Sequence, residues 1–324
     1  MSKMIGNNNS KMTKLGFAHE LKKNTPLFLM CLPYLVLSVI FAYLPMFGLV
    51  IAFKKINMRD GIFFSPWCGF DNFKLLFESN DAWLITRNTL GYNLFFILID
   101  LVLAVSLALI LNSIINKKAS KIYQTILIMP HFLSYVIVSY LVLAFLSIEN
   151  GYLNHTILPA FGFDTLKNPI NWFAESKYWP FILTLVHVWK TAGYGSIVYL
   201  AALAGIDSQL YEAAEIDGAN VWQRIWYITL PSLKTIIAIK TILAVGTIFG
   251  GDFGLFFNVT QNQGALYETT QIIPVYIYNM LTGAGSSSLG YSSAASFLQS
   301  TLGFLLVVIT NEVAKRVDEE TALF

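Results

Sequence analysis

The side chains that could do chemistry sit in unusual company. Asp100, His131, His187, Trp189 and Lys240, with Tyr135 and Tyr194, fall in stretches built otherwise from Leu, Ile, Val, Phe and Ala. A lone charge facing hydrocarbon costs at least about 2.5–3.5 kcal/mol, so Asp100 and Lys240 each call for a partner or for water. Polar and aromatic groups of this kind, set among apolar residues, can also line a buried binding cavity, and these seven residues are the candidates for a solute path. Asp100 lies thirteen positions past Arg87 and Lys240 nine past Pro231. At helical rise these depths are roughly 20 Å and 14 Å, well inside a hydrocarbon core of about 30 Å. Three arrangements remain open: the two charges pair across helices, they line a cavity separately, or each is quenched alone. In the last case Asp100 is protonated or bonded to a neighbouring helix, and Lys240 reaches the interface. No nucleophile stands beside a base, no His/Cys/carboxylate cluster has metal-ligand spacing, and no phosphate-binding Gly-rich loop occurs. We therefore expect no enzyme activity and no cofactor bound by this chain.

These residues need a membrane-embedded scaffold. The chain is 56% hydrophobic and only 12% charged, with mean hydropathy +0.60; a soluble domain carries about twice that charge. The small net charge of +2 gives no reason to expect a nucleic-acid partner. Cys31 and Cys68 form no framework. Apolar runs at 26–53, 87–112, 123–146, 180–204, 231 to about 256, and 289–310 predict an all-α integral membrane protein with six transmembrane helices. The third run is interrupted by Pro130-His131. A 1–25 arm, a 26–312 membrane domain and a 313–324 tail follow. The first run is too long for a signal-peptide core and is read as a retained span. Lys3, Lys11, Lys14, Lys22 and Lys23, with Lys117, Lys118 and Lys121, put both termini in the cytoplasm, outweighing Lys54, Lys55 and Arg59 on the other side.

One polar stretch, Leu210 to Pro231, interrupts the apolar pattern between the fourth and fifth runs. Ser208, or alternatively Asp207, can cap a helix start. Glu212, Ala213, Ala214 and Glu215 favour helix, and Gly218 supplies a left-handed stop. A second short helical run, Ala219 to Tyr227, leads to Pro231, which suits the first turn of the next helix. The pattern predicts a stiff elbow over 206–230.

The elbow resembles the cytoplasmic coupling loop of ABC-importer permeases. Glu212, Ala213, Ala214, Gly218, Ile228, Leu230 and Pro231 fill every fixed position of that motif, with Asp217 beside the turn. At ordinary residue usage a chance match is on the order of one in a hundred million per window. Trp67–Phe73, Arg87–Leu90, Pro130–Ser134 and Ser196–Leu203 are similar to stretches of carbohydrate permeases, closest to the polysaccharide type of Gram-positive bacteria. The resemblance implies the type I importer architecture, with N and C termini cytoplasmic, in the bacterial plasma membrane. It also implies a heterodimer with a second homologous permease, two ATPase subunits holding ATP and Mg, and an extracellular sugar-binding lipoprotein that delivers an oligosaccharide. The eight residues of the elbow would couple to the ATPases. The rivals are the same architecture for a non-sugar solute and an ion-coupled secondary transporter. The latter is disfavoured because no internal repeat is visible.

Overall fold

The computed structural model describes residues 23–57, 59–78, 80–283 and 286–317. The chain divides into two units, residues 1–50 and 51–324. Helix α1 (Thr25–Phe53) occupies the described part of the first and ends in the second. It holds Pro33 inside an α-helical start, then passes through a π turn at Val39–Tyr43 into a 3-10 stretch at Leu44–Phe53. These changes of helix type accommodate the backbone groups that Pro45 disrupts.

The second unit is helical throughout its long elements: α2 (Asp71–Glu78), α3 (Asn80–Ser113), α4 (Lys117–Ile128), α5 (Tyr135–Leu146), α6 (Trp179–Leu203), α7 (Ser208–Ile216), α8 (Val221–Gly246), α9 (Ile273–Thr282) and α10 (Ser286–Val317). Helix α3 packs along α6. Ala104, Val105 and Ala108 of α3 meet Tyr199 and Leu203 of α6 and Leu233 of α8 in one buried cluster, where small residues let the backbones approach. A larger cluster joins Phe96 to Val138, Trp179, Leu183, Val186, Leu255, Phe256 and Val259. Two of the stretches that resemble carbohydrate permeases act as braces. Buried Asn72 donates to Ala52 O at 2.8 Å and Lys54 O at 3.1 Å. Asn88 donates to Glu268 O at 3.1 Å and Gln271 O at 3.2 Å, and Ile273 N donates to Thr89 Oγ1 at 2.9 Å.

Among the described residues, four helices are long and apolar enough to cross a membrane: Thr25–Phe53, Asp81–Ser113, Val221–Gly246 and Leu289–Arg316. The Lys117–Phe132 and Tyr135–Leu146 pair, bent by 94°, brings the number to five if it is one span. Helix α6, with 25 residues, is about 37 Å long, but its polar face removes it from that set.

Three boundaries differ from the sequence expectation. The Pro130-His131 interruption is a sharp break, because Pro130 opens a 3-10 turn, Met129–Phe132, and Ser134 starts a new helix by accepting from Ile137 N. The fifth span stops at Gly246 rather than continuing to residue 256. Gly250 and a left-handed Gly251 (φ +64) follow, and helical structure resumes only as a π turn at Leu255–Val259. Finally, the second arm of the elbow does not end before Pro231. It runs into the fifth span as α8, with a π turn at Ile225–Thr229 widening the helix just before the proline.

Candidate functional site: a polar face on α6 and an exposed elbow

Positions 187, 190, 191 and 194 of α6 follow the i, i+3, i+4, i+7 spacing of one helix face. That face grips two neighbours. His187 Nε2 lies 3.0 Å from Asp100 Oδ2, and Thr191 Oγ1 donates to Asp100 Oδ1 at 3.0 Å. A proton on Nε2 makes the first contact a hydrogen bond to a carboxylate. The imidazole of His187 stacks on Phe96, centroids 3.8 Å apart. Next on the face, Lys190 reaches the break in the third span, donating to His131 O at 2.7 Å and to Leu133 O, with Pro130 O at 3.5 Å. Its ammonium lies 4.8 Å from the Tyr135 ring centroid. Tyr135 Oη donates to Asp252, whose other oxygen accepts from Leu255 N at 3.1 Å. Tyr194 stacks on His131 at 3.9 Å. His187 and Lys190 are each only 7% exposed; burial makes partners within the protein valuable, and His187 Nε2 and the Lys190 ammonium have them, while His187 Nδ1 is buried without one.

Beside this face lies a cavity of about 380 Å³, with Asp100, His131, Thr191, Tyr194 and Lys240 among its lining. Asp100 thus does not pair with Lys240: it is bonded to the neighbouring helix, as one of the alternatives had it, and its side chain, still 38% exposed, also lines the cavity. Lys240 shares the same lining without an ion pair among the described residues. His187 and Tyr135 stand behind the wall as supports. Trp189 is sent elsewhere: it lines a separate apolar pocket with Val138, Leu141 and Phe181, because residue 189 lies well round the helix from 187 and 191. Sequence reading missed Lys190 and Asp252. Lys190 was legible as a charge inside an apolar run; Asp252 was hidden in a Gly-rich connection that looked like the end of a span. Among the described residues no three His, Cys, Asp or Glu groups converge to hold a metal ion.

The elbow is built from near neighbours. Asp207, rather than Ser208, caps α7 by accepting from Gln209 N at 2.9 Å. Gly218 sits at φ +76, and the two bonds Ala219 N to Ala214 O (2.8 Å) and Gly218 N to Glu215 O (3.1 Å) close the helix end in a Schellman arrangement. Asn220 and Gln223 then form a reciprocal capping box at 2.8 and 2.9 Å. Tyr211 Oη meets Thr229 Oγ1 at 2.9 Å across the two arms. The outer surface carries Glu212, Ala213 and Asp217, with Ile216 87%, Trp222 71% and Tyr227 80% exposed. Ile228 and Leu230 are half-buried at the root of the elbow and Pro231 is exposed.

A helical membrane protein with a sharply broken span, a mostly apolar cavity that also holds a few polar side chains, and a stiff exposed elbow has the parts of a transporter's membrane subunit. Residues 100–319 match the family described as binding-protein-dependent transport system inner membrane component, and the chain belongs to that family. It is accordingly a multi-pass protein of the bacterial plasma membrane. The protein LplB of Bacillus subtilis is 32% identical over 93% of this chain and 92% of its own length. A polygalacturonan/rhamnogalacturonan transport system permease of the same organism, YteP, is 34% identical over 91% and 89%. The fold matches a chain from the crystal structure of a bacterial ABC transporter involved in the import of the acidic polysaccharide alginate, with TM-score 0.82 and 32% identity, covering 93% of this chain and 99% of that one.

Proposed function

We propose that this chain is one of two permeases in an ATP-driven importer that takes an oligosaccharide from an extracellular binding lipoprotein and releases it into the cytoplasm. The observation that carries the reading is the elbow: a capped, Schellman-terminated helix rooted through α8 in a membrane span, presenting Glu212 and an apolar rim to an outside partner. Such an elbow transmits rigid-body movement, which a Gly/Ser loop does not. Glu212, Ala213, Ala214, Asp217, Gly218, Ile228, Leu230 and Pro231 form or root the ATPase-facing surface. ATP and Mg are held by the two ATPase subunits. If α6 and the bent pair each cross once, the six crossings leave both termini and the elbow on one side, and Lys117, Lys118 and Lys121 with the N-terminal lysines support the cytoplasm as that side. The cavity beside α6 offers the hydroxyl, imidazole and aromatic groups that suit a sugar, and the saccharide relatives support that solute class. ATPase closure and opening then bias two packings of the helices.

Two measurements test the reading. Reconstituted with a partner permease and ATPases, the complex hydrolyses ATP faster when its sugar-loaded lipoprotein is added; no acceleration with any saccharide-loaded lipoprotein rules out the sugar assignment. In a background without Cys31 and Cys68, Ser208→Cys resists a membrane-impermeant maleimide in intact cells, while Lys167→Cys, on a side chain 83% exposed, reacts. The opposite labelling pattern places the elbow away from ATP and overturns the coupling role.

A further inference from the structure

We propose that Lys190 is a positioning residue for transport: its ammonium holds His131 in the cavity wall by capping the backbone at the break in the third span. The inference rests on the importer reading and adds to it the residue that sets the wall.

At the break, carbonyl groups lose the helical donors that would have met them. Lys190, three-donor and acceptor-free, comes in from α6 and takes the carbonyls of His131 and Leu133, with Pro130 O at the edge of reach. One turn on, Tyr194 covers the imidazole of the same His131, rings 3.9 Å apart and 3° from parallel. A single helix face therefore holds His131 twice, by its backbone and by its ring. Between the two grips sits Gly193, where an added Cβ would come 2.0 Å from Leu127 O. The helices touch backbone to backbone there, and that closeness brings a lysine head group onto the carbonyls. The grip has an outward connection as well. Lys190 rests on the ring of Tyr135, the first residue of α5, and Tyr135 donates to Asp252 just beyond the end of the fifth span. The same lysine thus holds the backbone of a cavity-lining residue and lies over the ring of a tyrosine bonded to the segment that follows the fifth span.

The test is a double-mutant cycle on the whole complex in proteoliposomes, read as ATP hydrolysis stimulated by the loaded lipoprotein. Lys190→Met is expected to lower stimulated hydrolysis at least tenfold at an unchanged amount of complex, with basal hydrolysis within twofold of the parent. His131→Ala lowers it comparably, and the double variant is no worse than His131→Ala alone, because both act through one placement. Losses that multiply, or a Lys190→Met variant equal to the parent, overturn the proposal. If Lys190→Met reduces the amount of complex, the cycle is run with Lys190→Arg, which keeps the charge and donors; partial activity that is non-multiplicative with His131→Ala supports the role, and multiplication defeats it. The importer reading fails separately, when the parent complex itself shows no stimulation.

Discussion

The elbow and the polar face of α6 solve the same problem, holding a shape, by opposite means. Every hydrogen bond that shapes the elbow joins residues at most eighteen positions apart, from Asp207 with Gln209 to Tyr211 with Thr229. The face of α6 is held by partners 57 to 117 positions apart: Lys190 with Leu133, His187 with Asp100, Tyr135 with Asp252. Most of the elbow is solvated, Thr229 being buried at its root, so a typical bond there replaces one to water and contributes about 0.5–1.5 kcal/mol. Its stiffness comes from several such bonds acting together. The α6 face is buried, and there a lost partner leaves a group unsatisfied at about 1–3 kcal/mol or more. A single loss in the elbow is shared among neighbouring bonds; on the α6 face it falls on one partner.

The largest expected effect is therefore in the buried region. Gly193→Leu forces a side chain into the Leu127 carbonyl, and since the contact is backbone to backbone no rotamer relieves it. Ordinary overpacking already costs about 1–3 kcal/mol. We expect the amount of intact complex extracted in detergent to fall more than tenfold. A normal yield with normal uptake would show that α4 and α6 can separate without harm, and the contrast between the two regions would lose its physical basis.

The same contrast explains what could be read from the sequence. The elbow was legible almost entirely: its helix, the Gly218 turn and its position between two apolar runs all follow from neighbours in the chain. The cap was left between Ser208 and Asp207, a choice between adjacent residues that the structure makes for Asp207; what was missed is the continuous run through Pro231, which turns on a π turn that leaves no clear composition signal. Asp100 was legible as a charge that must be quenched, but its partner was not. His187 and Thr191 lie about ninety positions away, and nothing in the spacing says that α3 and α6 align. Lys190 went unread because a lysine near mid-helix resembles any charge that snorkels to an interface. The 94° break was signalled by Pro130, but the contacts on either side of it, Lys190 on the His131 carbonyl and Ser134 capping the next helix, include one from a residue 59 positions away. The C-terminal end of the fifth span failed for a local reason: Phe253 to Phe257 continue the apolar pattern, although the helix stops at Gly246 and the chain then turns through a left-handed Gly251.

A smaller effect on assembly, but a severe one on coupling, belongs to the elbow surface. Gly218→Pro cannot adopt φ +76, since proline is held near −65°, so the second arm leaves α7 in another direction. Glu212→Lys leaves the backbone alone and reverses one exposed charge. Both complexes should insert and be extracted at parental levels, while sugar uptake and lipoprotein-stimulated hydrolysis fall more than tenfold for Gly218→Pro and about three- to tenfold for Glu212→Lys, an estimate taken from the kinetic weight of interfacial charges. Parental uptake by both variants would mean that the elbow is not the coupling surface, and the comparison would be between two structural regions only.

The smallest effect tests whether the elbow's local bonds are truly redundant. Asn220→Ala removes the side-chain half of the capping box, the bond from Gln223 N to Asn220 Oδ1. An N-cap of this kind contributes about 1 kcal/mol. Two features remain in place: the Schellman end at Gly218, whose bonds are all backbone, and the Tyr211–Thr229 contact across the arms. The ion pair of Glu215 with Arg224, at 3.5 Å and on the surface, adds little. The midpoint of thermal unfolding should therefore move by no more than about 2 °C, and uptake should stay within twofold of the parent. Adding Tyr211→Phe to Asn220→Ala removes the cross-arm contact too, and if the bonds back one another up the double variant loses more uptake than the two single losses combined. A tenfold loss from Asn220→Ala alone would place the elbow's shape on a single bond, and it would then resemble the α6 face rather than contrast with it.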